Sequence, residues 1–309
     1  MKKFIFKIFI FILPIAIVGC IMEILIRNIP NDYTLKKEYL DENANKIKTL
    51  AFGHSQILNG FNPEDMSMNS YNVAFSGQSI KYDYKILEKY SEKLVSLKYV
   101  VIPISYLSLS HQLENSILSN YVKNYSIYLD IDTDSKSLFK NKYEIFSYKF
   151  KTNVNRLRSY YLNEEDAVAF GEFGWKEISR TRDLIETGKH DAKKSMEFMQ
   201  FDAKNQYRKE NVKYLKSIFE ICNKRKIHVI LITPPTYYSY RNNIDQSHFK
   251  TVHRVINEFI ENYDNATYLD LFDHIGFKAK DYRDANHLNE LGARKMTKII
   301  DKHINELKK

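Results

Sequence analysis

Cysteine is nearly absent from this chain of 309 residues: there are two, Cys20 and Cys222. Cys20 lies in an apolar N-terminal run and Cys222 in a helical pattern of the polar remainder. No disulfide can therefore form within the soluble part, and no Cys-based metal site is suggested. Tryptophan occurs once, against 23 Tyr and 19 Phe. Tyr-rich surfaces can stack on sugars or pack against headgroups, and codon usage in an AT-rich genome produces the same excess. Long blocks of basic residues are also missing. The formal charge of +9 is spread along the chain, whereas nucleic-acid binders cluster Lys and Arg on one face. Mild attraction to anionic lipid or an acidic glycan remains, as does an ordinary solvated surface. His190, His248, His253, His274 and His303 show no ligand spacing with Asp, Glu or Cys and read as surface residues. No metal, no cofactor and no internal repeat is expected.

The longest apolar stretch is N-terminal. Lys2, Lys3 and Lys7 precede Ile8 to Met22, and only Glu23 interrupts the apolar run to Ile26. Nineteen residues at about 1.5 Å each give roughly 28 Å, the thickness of a bilayer core. Pro14 is tolerated in a membrane helix. An uncleaved signal anchor is the leading reading of residues 1–27. A lipoprotein signal competes through Ile17-Val18-Gly19-Cys20, although Ile21 to Ile26 stays apolar after the cysteine. A cleaved signal peptide lacks a small-x-small site. All three readings put the rest of the chain outside the cytoplasmic membrane.

Residues 28–46 are polar and read as a stalk, leaving 47–309 as the folded domain. Short apolar runs follow: Thr49 to Phe52, Tyr71 to Phe75, Tyr99 to Ile104, Ile227 to Thr233 and, more weakly, Thr267 to Leu271. Runs this short and continuously apolar suit parallel strands covered on both faces. Helical patterns lie at Tyr82 to Leu97, Asn205 to Lys226, Ser247 to Tyr263 and Leu288 to Leu307. The alternation predicts an α/β fold with a parallel sheet and right-handed crossovers. From Ser105 to about Lys204 it breaks. That stretch is too long for a plain loop and reads as a mostly helical insertion shaping a cleft. Within it, Trp175 with Phe170 and Phe173 reads as core.

Two segments carry chemistry. Leu50-Ala51-Phe52-Gly53-His54-Ser55-Gln56 is an apolar run that breaks at a glycine and presents a serine. Asp284-Ala285-Asn286-His287-Leu288-Asn289 places an aspartate three residues before a histidine, at the start of a helix-like segment. Ser, His and Asp are the parts of a nucleophilic triad. Ser55 follows the first strand, where open α/β sheets bind ligands, and its N–H can donate to an oxyanion. His54 reads as structural. The α/β-hydrolase elbow is excluded, because Ile57 stands where its second glycine belongs. Taken singly, Ser55 is an ordinary turn residue, Asp284 a helix N-cap and His287 a first-turn surface residue.

In order, these residues resemble the SGNH (GDSL) hydrolase superfamily. Phe52-Gly53-His54-Ser55-Gln56 is similar to its first block, with His54 for aspartate and Gln56 for leucine. Asn72-Val73-Ala74-Phe75-Ser76-Gly77-Gln78-Ser79 is similar to the second, Ile230-Leu231-Ile232-Thr233-Pro234-Pro235 to the late strand, and Asp284-Ala285-Asn286-His287 to the last block. The third block departs: Pro103-Ile104-Ser105-Tyr106-Leu107-Ser108 has no asparagine. Ser105, Ser108 and Gln78 are the candidate replacements for that donor.

The resemblance implies a three-layer, flavodoxin-like sheet. It implies Ser55 as nucleophile, His287 as general base, Asp284 as its orienting acid, and the N–H groups of Ser55 and Gly77 as oxyanion donors. With the membrane segment it resembles anchored members of alginate O-acetylation and teichoic-acid D-alanylation. The resulting expectation is a membrane-anchored, extracytoplasmic serine esterase or O-acyltransferase. It would act on acyl esters, acetyl first, of an envelope polysaccharide, beside a polytopic membrane partner. A non-catalytic glycan-binding or assembly module and a lipase or phospholipase are the alternatives.

Overall fold

Three of the apolar runs in this protein have no polar face to turn to water, and all become interior strands. The computed structural model describes residues 1–133, 142–165, 171–179, 182–201 and 206–308. In chain order it forms α1 (Lys2–Arg27), α2 (Asp32–Asn43), β1 (Thr49–Ala51), α3 (Ser55–Gly60), β2 (Ser70–Asn72), α4 (Ile80–Tyr90) and β3 (Tyr99–Pro103). Then come α5 (Val122–Ile127), α6 (Phe150–Tyr161), α7 (Leu184–Phe201), α8 (Gln206–Lys224), β4 (His228–Thr233) and α9 (Tyr238–Arg241). The chain closes with α10 (Gln246–Asn262), β5 (Ala266–Asp270), β6 (Tyr282–Asp284), β7 (His287–Leu288) and α11 (Glu290–Glu306). It packs as two compact units: Met1–Glu38 with Asn120–Ala169, and Tyr39–Ser119 with Phe170–Lys309.

The larger unit is the expected α/β fold. Its five strands are all parallel in the order β2-β1-β3-β4-β5, the flavodoxin-like arrangement. Register pairs Leu50 with Tyr71 and Val100, and Val101 with Ile230. Ala51, Val101, Ile230 and Ile232 cluster with Ile57 and Phe61 of the α3 segment and with Met296, Ile300 and Ile304 of α11. Their neighbours along the strands, Leu50, Val100, Val229 and Leu231, are equally buried. Side chains alternate across a strand, so both sheet faces are covered. This is why the strands read as unbroken apolar runs.

The helices around the sheet start where short polar side chains accept orphan backbone N–H groups. Asp245 accepts from Ser247 at the head of α10, and Asn289 accepts from Leu291 and Gly292 at the head of α11. The stretch read as one insertion divides between the units. Residues 171–179 and α7 belong to the sheet unit. There Trp175 donates its indole N–H to Asn59 O at 2.9 Å, and Asn72 N–H donates to Phe173 O. Phe170 and the insertion's last residues, 202–204, lie outside the described residues. His248 corrects its reading as a surface residue: it is buried, with Nε2 3.0 Å from Tyr106 O.

The smaller unit contains α1, α5 and α6. At 26 residues α1 is long and apolar enough to cross a membrane. Phe4, Phe6, Phe9, Phe11, Ile15 and Val18 are exposed along it. The segment expected as a stalk carries α2. Glu23, the charge inside the apolar run, is held: its carboxylate accepts the backbone N–H groups of Glu144 (3.1 Å) and Ile145 (2.8 Å) and pairs with Arg27.

Candidate functional site

At the carboxyl end of β1 the chain must leave the sheet and start a helix within three residues. Gly53 makes the turn with φ +116°, and a Cβ there would lie 2.2 Å from Pro103 Cγ. No other residue fits that position without displacing β3's last residue. His54 is the N-cap of α3, so Ser55 is its first residue and stands at the C-terminal edge of the sheet.

Ser55 meets its partners from the far end of the chain. Ser55 Oγ lies 2.8 Å from His287 Nε2, and His287 Nδ1 lies 2.8 Å from Asp284 Oδ1. A carboxylate at Nδ1 selects the Nδ1–H tautomer, leaving Nε2 as the acceptor for the serine hydroxyl. Asp284 is buried, which by itself would raise its pKa. The His287 hydrogen bond and charge, the Asn286 N–H (3.1 Å) and nearby Arg283 outweigh burial and hold it below the usual carboxylate range. Asp284 is therefore ionised and able to stabilise an imidazolium.

Asp284 and His287 do not sit on a helical turn. They end β6 and begin β7, paired across a tight antiparallel hairpin with Ala285 and Asn286 at its tip. The helix N-cap is Asn289. The tip is fixed from three sides. Ala285 N–H donates to Thr187 Oγ1 of α7 (3.1 Å). Ala285 O accepts from Tyr237 N–H (2.8 Å). Gln56 Nε2 donates to Asn286 Oδ1 (2.8 Å) and Asn286 O (3.1 Å).

Ser55 and Gly77 line the same cavity. Gly77 adopts φ +70°. The peptide after it is pinned, since Gly77 O accepts from His111 Nε2 (2.8 Å) and Gln78 N–H donates to Phe75 O. Burial pushes the His111 pKa down, consistent with a neutral ring donating through Nε2–H. Among the described residues neither Ser55 N–H nor Gly77 N–H donates to a protein acceptor.

Ser105 occupies the place of the missing asparagine, and its surroundings are spoken for. His54 Nδ1 accepts Gln56 N–H (3.4 Å), which leaves Nε2–H to donate to Ser105 Oγ (3.2 Å). Ser105 Oγ lies 3.0 Å from Ser108 Oγ, which in turn donates to Pro103 O. Burial drives the His54 pKa down to about 3, so the ring is neutral and structural at physiological pH.

Sequence reasoning missed Asp83. This carboxyl is buried beside the site, and Oδ1 accepts both Gly53 N–H (2.9 Å) and Gln78 Nε2 (2.6 Å). One oxygen thus ties the serine turn to the residue after Gly77. Burial raises its pKa to about 7 against those two hydrogen bonds. A signal existed: Asp83 stands at helical spacing with Ile80, Ile86, Leu87 and Tyr90 on the buried face of α4. A lone acid on an apolar stripe calls for a partner. A cavity of about 200 Å³ opens in front of Ser55, His287 and Gly77, with Ile80, Pro103, Leu107 and Leu118 among its walls.

A protein-family model that carries no description matches residues 189–309. That span includes Asp284 and His287 but not Ser55. No curated protein matches the chain. Among solved structures, one described as a candidate acylhydrolase from Bacteroides fragilis is 12% identical, with a TM-score of 0.43 over 91% of this chain and 100% of its own. Another, described as a candidate platelet activating factor from Streptococcus pneumoniae, is 9% identical, with a TM-score of 0.42 over 96% and 98%.

Proposed function

We propose that this protein is a membrane-anchored serine esterase or O-acyltransferase of the SGNH type, working through an acyl-serine. The observation that carries the reading is the continuous hydrogen-bonded chain from Ser55 Oγ through His287 to Asp284, at 2.8 Å in both links. Ser55 Oγ attacks an ester carbonyl while His287 Nε2 takes its proton. The tetrahedral oxyanion collects the N–H groups of Ser55 and Gly77. Collapse expels the alcohol, which takes the proton back from His287. Water or an acceptor hydroxyl then repeats the sequence on the acyl-serine. Asp284 stays ionised throughout and balances the imidazolium charge.

The apolar walls of Ile80, Leu107 and Leu118 suit the acyl rather than the alcohol side of the ester. The envelope-glycan acceptor, the extracytoplasmic location and a polytopic partner follow from the anchor reading of α1 and from the resemblance. Transfer instead of hydrolysis requires water to be kept from the acyl-serine.

A binding module is the second reading, favoured by one observation: Ser105, in the third-block position, has its hydroxyl engaged with Ser108. The deciding experiment uses the full chain in detergent. A fluorophosphonate probe should label the wild type at Ser55 and fail on Ser55→Ala and His287→Ala. p-Nitrophenyl acetate turnover should vanish in both variants, and a soluble oligosaccharide acceptor should become acylated. An unlabelled, inactive wild type would sink the catalytic reading and leave the binding module.

A further inference from the structure

Helix α6 presents a narrow apolar stripe that the other described residues leave largely exposed. Phe150, Val154, Leu157 and Tyr161 recur at intervals of four, three and four residues, one face of an α-helix. Phe150 is 68% exposed, Val154 and Tyr161 are each 41% exposed, and Leu162 just beyond is 76% exposed. The neighbouring flank carries Lys151 and Arg158, with Lys149 immediately before the helix. The helix contains no acidic residue; Glu164 and Glu165 follow it. Its other side faces the protein, where Asn153 is fully buried and donates to Ile145 O.

The position of this stripe along α1 decides what covers it. Tyr161 donates its hydroxyl to Leu25 O, and Arg27 donates to Lys142 O. Glu23 holds the N–H groups of Glu144 and Ile145. Ile145 reaches further down, with Cδ1 3.8 Å from where a Cβ on Gly19 would stand. Gly19 lies seven residues before Ile26, about 10 Å along the helix axis. A bilayer core of roughly 30 Å needs about 20 residues, and Phe4 to Val18 is too short to span it. If α1 crosses a membrane, the apolar span must run past Gly19. The segment from Lys142 to Leu162, packed beside that part of α1, then lies at the level of the lipid headgroups.

We propose that α6 is an interfacial helix. It lies on the outer leaflet beside the end of α1, with Phe150, Val154, Tyr161 and Leu162 in the acyl–headgroup boundary. Lys149, Lys151 and Arg158 contact anionic headgroups. The proposal is independent of the catalytic reading and rests on α1 spanning the bilayer. It makes the smaller unit a two-point mount, so that the membrane is contacted by a surface helix as well as by a single span.

The test places the full chain in nanodiscs of mixed zwitterionic and anionic lipid. Tryptophan is introduced singly by Phe150→Trp, by Phe11→Trp as a marker inside α1, and by Lys302→Trp as a marker at an exposed position of α11. The wild-type Trp175 signal is subtracted. Lipids carrying a nitroxide near the headgroup should quench the Phe150→Trp emission by roughly twofold or more. That emission should be blue-shifted relative to Lys302→Trp, the solvent-exposed reference. A Phe150→Trp signal that is water-like and unquenched, while Phe11→Trp is quenched by a deep nitroxide, overturns the proposal and leaves the anchor standing. A blue-shifted but unquenched signal overturns it in favour of a protein covering the stripe. Loss of quenching at Phe11→Trp overturns the anchor and the proposal together.

Discussion

Gln56 and Asn286 are 230 positions apart, yet Gln56 Nε2 lies 2.8 Å from Asn286 Oδ1 and 3.1 Å from Asn286 O. Gln56 follows Ser55, and Asn286 precedes His287. One amide thus joins the serine helix to the histidine hairpin, beside the Ser55–His287 contact that the proposed mechanism uses. Gln56→Leu keeps the volume and removes the donor. It should lower kcat by roughly 10- to 100-fold through misplacement of His287, with KM little changed. Steady-state hydrolysis of p-nitrophenyl acetate checks this, and a change confined to KM would refute it.

Ser55→Ala and His287→Ala should each reduce kcat by on the order of 10⁴- to 10⁶-fold, and the double variant should be no worse than either alone. Asp284→Asn should cost on the order of 10⁴-fold, because an amide at that position can hold the ring in the wrong tautomer. Multiplicative losses in the double variant would show that the two groups do not act as one unit.

Asp83 gives a pH-dependent stability of known sign. Its folded pKa is raised from 3.8 to about 7 by burial. Between those values the folded state holds a proton that the unfolded chain has released. The stabilising contribution is thus fully present below about pH 4 and is lost as pH rises through about 7. Asp83→Asn keeps an acceptor for Gly53 N–H and has no proton to lose. Its Tm relative to the wild type should be higher at pH 8 than at pH 5. Thermal unfolding at the two pH values checks it, and a pH-independent difference would count against a buried, titrating carboxyl.

Gly53 and Gly77, two of the positive-φ glycines, should respond differently to alanine. At Gly53 a Cβ meets Pro103 Cγ at 2.2 Å, with φ +116°. Gly53→Ala should cost about 2–5 kcal/mol from strain and overpacking together. At Gly77 the obstacle is Leu118 Cδ1 at 2.6 Å, the end of a side chain that can move. Gly77→Ala should cost about 1–2 kcal/mol and, on the proposed mechanism, depress turnover more than stability, since it tilts the N–H assigned there to the oxyanion. Denaturant melts read beside esterase rates separate the two effects.

Local pattern determined much of this protein. Five mostly apolar runs too short for helices read as covered parallel strands, and β1 to β5 each begin within a residue of those runs, with β2 ending three residues before its run does. The amphipathic stretches became α4, α8, α10 and α11 for the same reason, a single apolar face requiring a single buried side. A serine after a glycine at a strand end, and an Asp-x-x-His before the last helix, were visible as candidate chemistry. Tertiary structure alone decided the rest. The hairpin that carries Asp284 and His287 was invisible, because two- and three-residue strands have no period to read. The pairing of Gln56 with Asn286, the hold of His111 on Gly77 O and the link from Asp83 to Gly53 all join segments that only the folded sheet brings together. Sequence spacing carries local geometry, whereas a hydrogen bond between distant residues exists only once the core has positioned both partners.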